Sequence, residues 1–251
     1  MKRFLITIIS LILLNVVSYA KTEEKLNYVV TYKWGLIHKD AGDVEITKQP
    51  KGDGYELKLL AKTKPWADRI YKLRDTLVSV TAKEHYRPYQ YTFIAHEKNK
   101  YRKDDIKFSY SGNSVKGHAV KYKEDKNGNI NRSEHEMTGT LPTYDMLSVY
   151  FFLRDIDYAN LKPGEKIHAT IFSGSKEEQL EVRCEGKEKI QLRDKSEHEA
   201  WHILFKFTQK GGKKSSDDIN CWISTDSAHI PLLIIGNLPI GQVRVNYMGN
   251  S

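Results

Sequence analysis

The chain lacks most of the features that announce a reaction. It carries two cysteines in 251 residues, Cys184 and Cys221, with no Cys-x-x-Cys and no histidine near either. That argues against a redox centre or a thiolate metal site. No Gly-x-Ser-x-Gly occurs, so the nucleophile elbow of the α/β hydrolases is excluded. No glycine-rich stretch matches a phosphate cradle, and Asp40-Ala41-Gly42-Asp43 and Asp217-Asp218 lack the spacing of a calcium loop. Beyond the first segment no apolar run is long enough to span a bilayer as a helix. Neither a linker composition nor an internal repeat divides the chain. Positive charge is scattered: Lys58, Lys62, Lys64, Lys121 and Lys123 alternate with acids and other residues. A nucleic-acid binder gathers its bases on one face, so nucleic acid is not an expected partner; a solvated surface is.

What is present begins with a secretory signal. Lys2 and Arg3 precede an apolar run from Phe4 to Leu14, extended by Val16 and Val17, and Ser18-Tyr19-Ala20 offers small residues around a large one. Residues 1–20 are read as a signal peptide cleaved after Ala20, leaving no transmembrane anchor. The run is shorter than the roughly 20 residues of a spanning helix, and no Cys follows it to take a lipid. Loss of Lys2 and Arg3 takes the formal charge from +8 down by two, to +6. The expected location is the periplasm, or another exported compartment, of a Gram-negative bacterium.

From Leu26 onward, period-two alternation dominates. Tyr55, Leu57, Leu59 and Ala61 alternate with Glu56, Lys58 and Lys62; Tyr89, Tyr91, Phe93 and Ala95 with Gln90, Thr92 and His96; Val243, Val245 and Tyr247 close the chain in the same way. One apolar and one wet face is the signature of antiparallel sheets. Turn signals at Pro50–Gly54, Ser111–Asn113, Lys126–Asn129 and Lys162–Gly164 separate a dozen or more strands. One segment breaks the pattern: behind the cap residues Thr143-Tyr144-Asp145, Met146, Leu147, Tyr150, Phe151 and Arg154 recur at helical spacing. The expected fold is mainly β: an antiparallel curved sheet, sandwich or open barrel with one mid-chain helix. Residues 21–251 form a single β-rich domain, or two packed halves joined by the helix near 145–154. Cys184 and Cys221 each share the apolar register of their strand, which fits either a disulfide or two buried free thiols.

Two strings resemble catalytic sets. His198-Glu199-Ala200-Trp201-His202 reads H-E-x-x-H, which binds zinc only on a helix, where residues four apart share one face. Here Trp201, Ile203, Phe205 and Phe207 alternate, so the stretch is a strand that places the two imidazoles about 13 Å apart at ~3.3 Å per residue. No metal is expected there. Ser224, Asp226 and His229 crowd between two strands after Trp222 and read as a polar turn, not as a nucleophile with its base. The aromatics, 15 Tyr, 8 Phe and 4 Trp, suit pleated surfaces and core packing. They also suit a binding surface, and Trp66, Tyr150 and Trp222 are the candidate binding residues.

Tyr32-x-Trp34-Gly35-x-Ile37 with Ala41-Gly42, the Asp145-x-x-Ser148-x-Tyr150-x-x-x-Arg154 helix, and Trp222-Ile223-Ser224-x-Asp226, Ile230-Pro231 and Ile240-Gly241-x-Val243 together resemble a family of exported bacterial proteins, domain of unknown function 3108. The resemblance runs through nearly the whole mature chain. It implies export and a β-rich fold, and no reaction or site residues. His198 and His202 fall outside its motifs. The expected function is a non-enzymatic periplasmic binder of an apolar or amphipathic ligand, or an envelope-support protein, without a cofactor; the partner is a lipid, a glycan or an envelope protein. The alternatives are an envelope hydrolase and a structural partner that takes no small ligand. An enclosed apolar cavity favours the first reading, converging polar groups the hydrolase, and a filled core with an exposed apolar patch the structural partner.

Overall fold

A computed structural model describes residues 23–98, 100–125, 127–209 and 217–250; residues 1–20, expected from the sequence to be a signal peptide, lie outside them. The alternating stretches become fifteen strands of one sheet: β1 (Glu24–Trp34), β2 (Ile37–Lys51), β3 (Gly54–Thr63), β4 (Leu73–Ala82), β5 (Pro88–Glu97), β6 (Lys100–Ser111), β7 (Ser114–Glu124), β8 (Ile130–Thr140), β9 (Thr143–Asp145), β10 (Lys166–Ser173), β11 (Lys176–Gln191), β12 (Glu197–Gln209), β13 (Ile219–Ser224), β14 (Pro231–Asn237) and β15 (Gln242–Asn250). Two helices accompany them, α1 (Pro65–Tyr71) and α2 (Ser148–Asp155).

The strand order is 8-7-6-5-4-3-2-1-15-14-13-12-11-10-9. Every neighbouring pair is antiparallel except β9 with β10, which are joined through α2 and run parallel. β1 bridges the two arms, pairing with β2 on one side and with β15 on the other. The sheet is thus two meanders rolled toward each other into a nearly closed barrel.

The roll closes by overlap. The face of β10 that carries Ala169 and Ile171 packs with Leu180, Val182 and Ile203. Phe172, on its opposite face, stacks on Phe108 of β6 with ring centres 5.5 Å apart. Gly117 and Gly139 make this approach feasible: a Cβ on Gly117 would stand 2.5 Å from the Phe172 ring, and one on Gly139 2.9 Å from Thr170. A side chain from β11 also ties the seam, since the Thr138 amide donates to a Glu177 carboxylate oxygen at 2.7 Å. The two sheet edges are protected differently, as an edge must be. β8 is mostly exposed and charged; β9 is three residues long and fully buried.

Helix α2 fills the middle of the roll. Leu147 and Phe151 enter a cluster with Leu26, Ile46, Leu57 and Ile106. Val149 and Leu153 enter a second with Tyr144, Ile171, Val182 and Ile223. The helix is therefore buried on both sides, more completely than a single apolar stripe suggests. It starts three residues later than its periodicity indicated, because Thr143–Asp145 is taken by β9. Asp145 still governs its start. Its carboxylate accepts from the Leu147 and Ser148 amides at 2.8 Å each and from the Ser79 hydroxyl at 2.6 Å, satisfying donors that a helix start leaves open.

The short helix α1 joins the mid-chain one. Its sequence signal is Pro65 at the first helical turn, where a missing amide costs nothing. The two thiols are buried and free. Cys184 pairs with Ile203, and Ile203 with Cys221, so the sulfurs sit two strands apart. At ~4.8 Å per strand spacing that is about 9.6 Å between Cα atoms, beyond the ~7 Å a disulfide can span. Burial also pushes the Cys221 thiol well above its usual pKa.

Candidate functional site

The chemistry-bearing strings fall where their periodicity placed them. His198 and His202 lie on β12 and face different partners. The His198 ring is 2.9 Å from the Ser196 hydroxyl. His202 stacks on Trp222 with ring centres 4.7 Å apart and contacts Asn220 at 2.9 Å. Ser224, Asp226 and His229 form a turn: the Ser224 hydroxyl donates to Asp226 at 2.8 Å and accepts from the Ile230 amide at 2.8 Å. The His229 ring points instead at the Arg154 carbonyl, 3.0 Å away. Among the described residues no imidazole contacts the Ser224 hydroxyl to take its proton, which nucleophilic catalysis requires.

The three candidate binding aromatics are not brought together. Trp66, in α1, donates its indole N–H to the Asp40 carbonyl at 2.6 Å and lies under the Lys39 amine, so it fastens α1 to β2. Tyr150, in α2, shares a 2.6 Å hydroxyl contact with Tyr28. Trp222, on β13, is held by His202 on its face and by Glu188 at its N–H. Each is engaged by its own neighbourhood, and none lines the cavities described below.

Sequence spacing could not show the charged pairs enclosed by the roll. Arg154, at the end of α2, is almost wholly buried and donates to both carboxylate oxygens of Glu24, 130 positions away, at 2.9 and 2.7 Å. It also donates to the Ala228 carbonyl. Burial pushes the Glu24 carboxyl up, but the hydrogen bonds and charge of Arg154, joined by Lys48 at 3.3 Å, outweigh it and hold the group below its usual range. On the other arm Asp104 is buried and bonded by Arg102. Nearby Asp75 is raised to about 6, chiefly by burial and then by the charge of Glu97.

Three grooves open along the sheet. A polar groove of about 520 Å³ runs past Thr31, Asp40, Arg193, Arg244 and Asn246. There Arg193 clamps the Asp40 carboxylate at 2.7 and 3.1 Å and holds it below its usual pKa. A basic hollow of about 390 Å³ opens among Lys98, Lys100, Arg102, Lys121 and Lys123.

A third groove, of about 630 Å³, crosses the outer face of β1 to β5. Strand register builds it from two rows perpendicular to the strands. One runs Asn27, Glu45, Leu60, Thr76; the other Val29, Asp43, Lys62, Arg74, His96. Val29, Leu60 and Met248 supply its apolar surface, and Leu60 and Met248 are exposed. Its charges are mostly committed elsewhere: Glu45 to Lys25, Asp43 to Lys64, Arg74 to Asp68. Lys62 has no ion-pair partner among the described residues. Alternation marked these residues as the wet face of their strands; that they form a groove depends on sheet curvature, for which no local signal exists.

Fold and packing define the class: an antiparallel, barrel-like sheet rolled around a central helix, with its open grooves on the surface. The chain belongs to the family described as protein of unknown function DUF3108, which matches residues 27–247. Among solved structures it is similar to a β-barrel-like protein of domain of unknown function DUF1849 from Brucella abortus. That likeness has a TM-score of 0.58 at 11% identity and covers 91% of this chain and 97% of that one; at such identity it speaks for the fold alone. A comparison with curated proteins finds no match.

Proposed function

We propose that this chain is an exported, non-enzymatic binding protein of the cell envelope, and that it holds a single-chain amphipath with an anionic head in the groove across β1 to β5. The observation that carries the reading is the groove itself. Its volume of about 630 Å³ falls within the roughly 300–1,000 Å³ of small-molecule sites. It places the apolar atoms of Val29, Leu60 and Met248 beside Lys62, whose ammonium is free to meet an acidic head. Inside the roll, around α2, Leu26, Leu57, Ile106 and Phe151 pack into one apolar cluster. The separation of Ser224 from His229 supports a non-enzymatic role, and the N-terminal Lys2 to Ala20 pattern supports export.

Titration of the mature protein with a fluorescent fatty acid tests this. The parent is expected to bind with displacement by unlabelled fatty acid. Leu60→Asp should abolish binding and Lys62→Glu should weaken it, with melting unchanged in both. Retention of parental affinity by Leu60→Asp, or failure of the parent to bind, overturns the reading.

A further inference from the structure

The hairpins β1–β2 and β14–β15 end side by side, because β1 pairs with both β2 and β15. The Tyr32 hydroxyl donates to the Ile240 carbonyl at 2.7 Å and locks one tip to the other. Five large apolar side chains project from this double tip. Leu36 is fully exposed, Ile240 is 60% exposed, Trp34 53%, and Leu238 and Ile37 nearly half. The turn does not call for them. Positive φ is taken by Gly35 (+54°), which meets the conformational demand of a tight hairpin, and Leu36 has no packing role. A group of exposed large apolar side chains gathered at one protruding end marks an interaction surface.

The charge around the tips identifies the occupant. Between Lys33 and Asp40 and between Asn237 and Arg244 the chain has the bases Lys33, Lys39 and Arg244 and one acid, Asp40. Asp40 is already clamped by Arg193. The β5–β6 turn lies at the same end of the roll, because β5 runs in the direction of β1, and it borders a hollow where Lys98, Lys100, Lys121 and Lys123 outnumber the acids Glu97 and Glu124, with Arg102 paired to Asp104. Apolar and aromatic side chains at a protruding point, beside Lys33, Lys39 and Arg244, which make no ion pair among the described residues, match an anionic bilayer surface: the apolar groups enter the acyl boundary and the bases meet the headgroups.

We infer that the double hairpin tip, Trp34 to Ile37 with Leu238 to Ile240, docks this protein on the surface of an anionic lipid leaflet. The docking is peripheral. It uses a surface separate from the groove across β1 to β5, so either reading can fail without the other.

The test is flotation of the mature protein with phosphatidylcholine vesicles, with and without phosphatidylglycerol. The parent is expected to float with the anionic vesicles, less so as salt is added, and to stay behind with phosphatidylcholine alone. The double variant Leu36→Glu, Ile240→Glu should lose at least about tenfold in partitioning, with an unchanged melting transition. Brominated lipid should quench fluorescence of the parent more than that of Trp34→Phe. Leu60→Asp, which disables only the groove, should float like the parent. Equal flotation of the double variant and the parent overturns the inference. So does a parent that stays lipid-free, including one that sediments as a dimer which the double variant dissolves, since the tip would then be a contact between copies.

Discussion

The interior around α2 and the double hairpin tip are both built from large apolar side chains, and they obey opposite rules. Phe151 is 1% exposed and touches aromatic neighbours on two sides, Tyr86 and Tyr150. Leu36, at the tip of the first hairpin, is fully exposed. Burial makes the first a stability element. Exposure makes the second neutral for folding and available for binding. The comparison teaches that hydrophobicity alone does not assign a role here; position relative to the roll does.

The comparison breaks most sharply at Phe151. Phe151→Ala should cost about 3–5 kcal/mol in a denaturant titration, the range for a buried ring and the cavity it leaves. A loss under ~1 kcal/mol would move α2 from the middle of the roll to its surface.

Arg154→Ala should cost about 3 kcal/mol, because Glu24 is left partly buried with Lys48 alone. Pairing Arg154→Met with Glu24→Leu should recover most of that loss, since desolvation of two ions disappears with them. Failure of the double variant to recover would show that the Arg154 bond to the Ala228 carbonyl matters more than the ion pair.

A smaller effect, dependent on pH, is expected at Asp75. Burial and then Glu97 raise its carboxyl from 3.8 to about 6. Between those values the native protein holds a proton that the unfolded chain has released, so stability should fall as pH rises through this window. Asp75→Asn should flatten that slope and be the more stable form at neutral pH by about 1 kcal/mol, once solvent screening of a half-exposed group is allowed for. Thermal melts of the two proteins at pH 4 and pH 7 give the answer, and parallel pH profiles would remove Asp75 as the cause.

The smallest effect on folding belongs to the tip. Leu36→Glu should leave stability within about 0.5 kcal/mol, as exposed substitutions do. A larger loss in the same titration would show that the tip packs against something.

How far the sequence reaches is visible residue by residue. Alternation at Tyr55–Ala61 and Tyr89–Ala95 was sufficient to identify strands, because a half-buried strand repeats every second residue wherever it sits. The same local rule assigned His198 and His202 to a strand and so separated them. The helix expected near 145–154 and found at Ser148–Asp155 was legible from its spacing, whereas α1 at Pro65–Tyr71 was not, since seven residues are too few for a period to emerge. Trp66 was marked as a candidate for binding and turned out to be held by the Asp40 carbonyl, a partner 26 positions away.

By itself, then, the sequence determined what is local: the strand class, the mid-chain helix, the family motifs and the register that buries both thiols. Tertiary structure decided what depends on which distant strands meet. It placed Ile203 between Cys184 and Cys221 and so kept the thiols apart. It joined Arg154 to Glu24, pressed Phe172 onto Gly117, and set Leu36 beside Ile240 by pairing the first strand with the last. The physical reason is that side-chain periodicity is written by backbone geometry over a few residues. Curvature, overlap of the sheet ends and the meeting of two hairpin tips are set by packing summed over the whole roll.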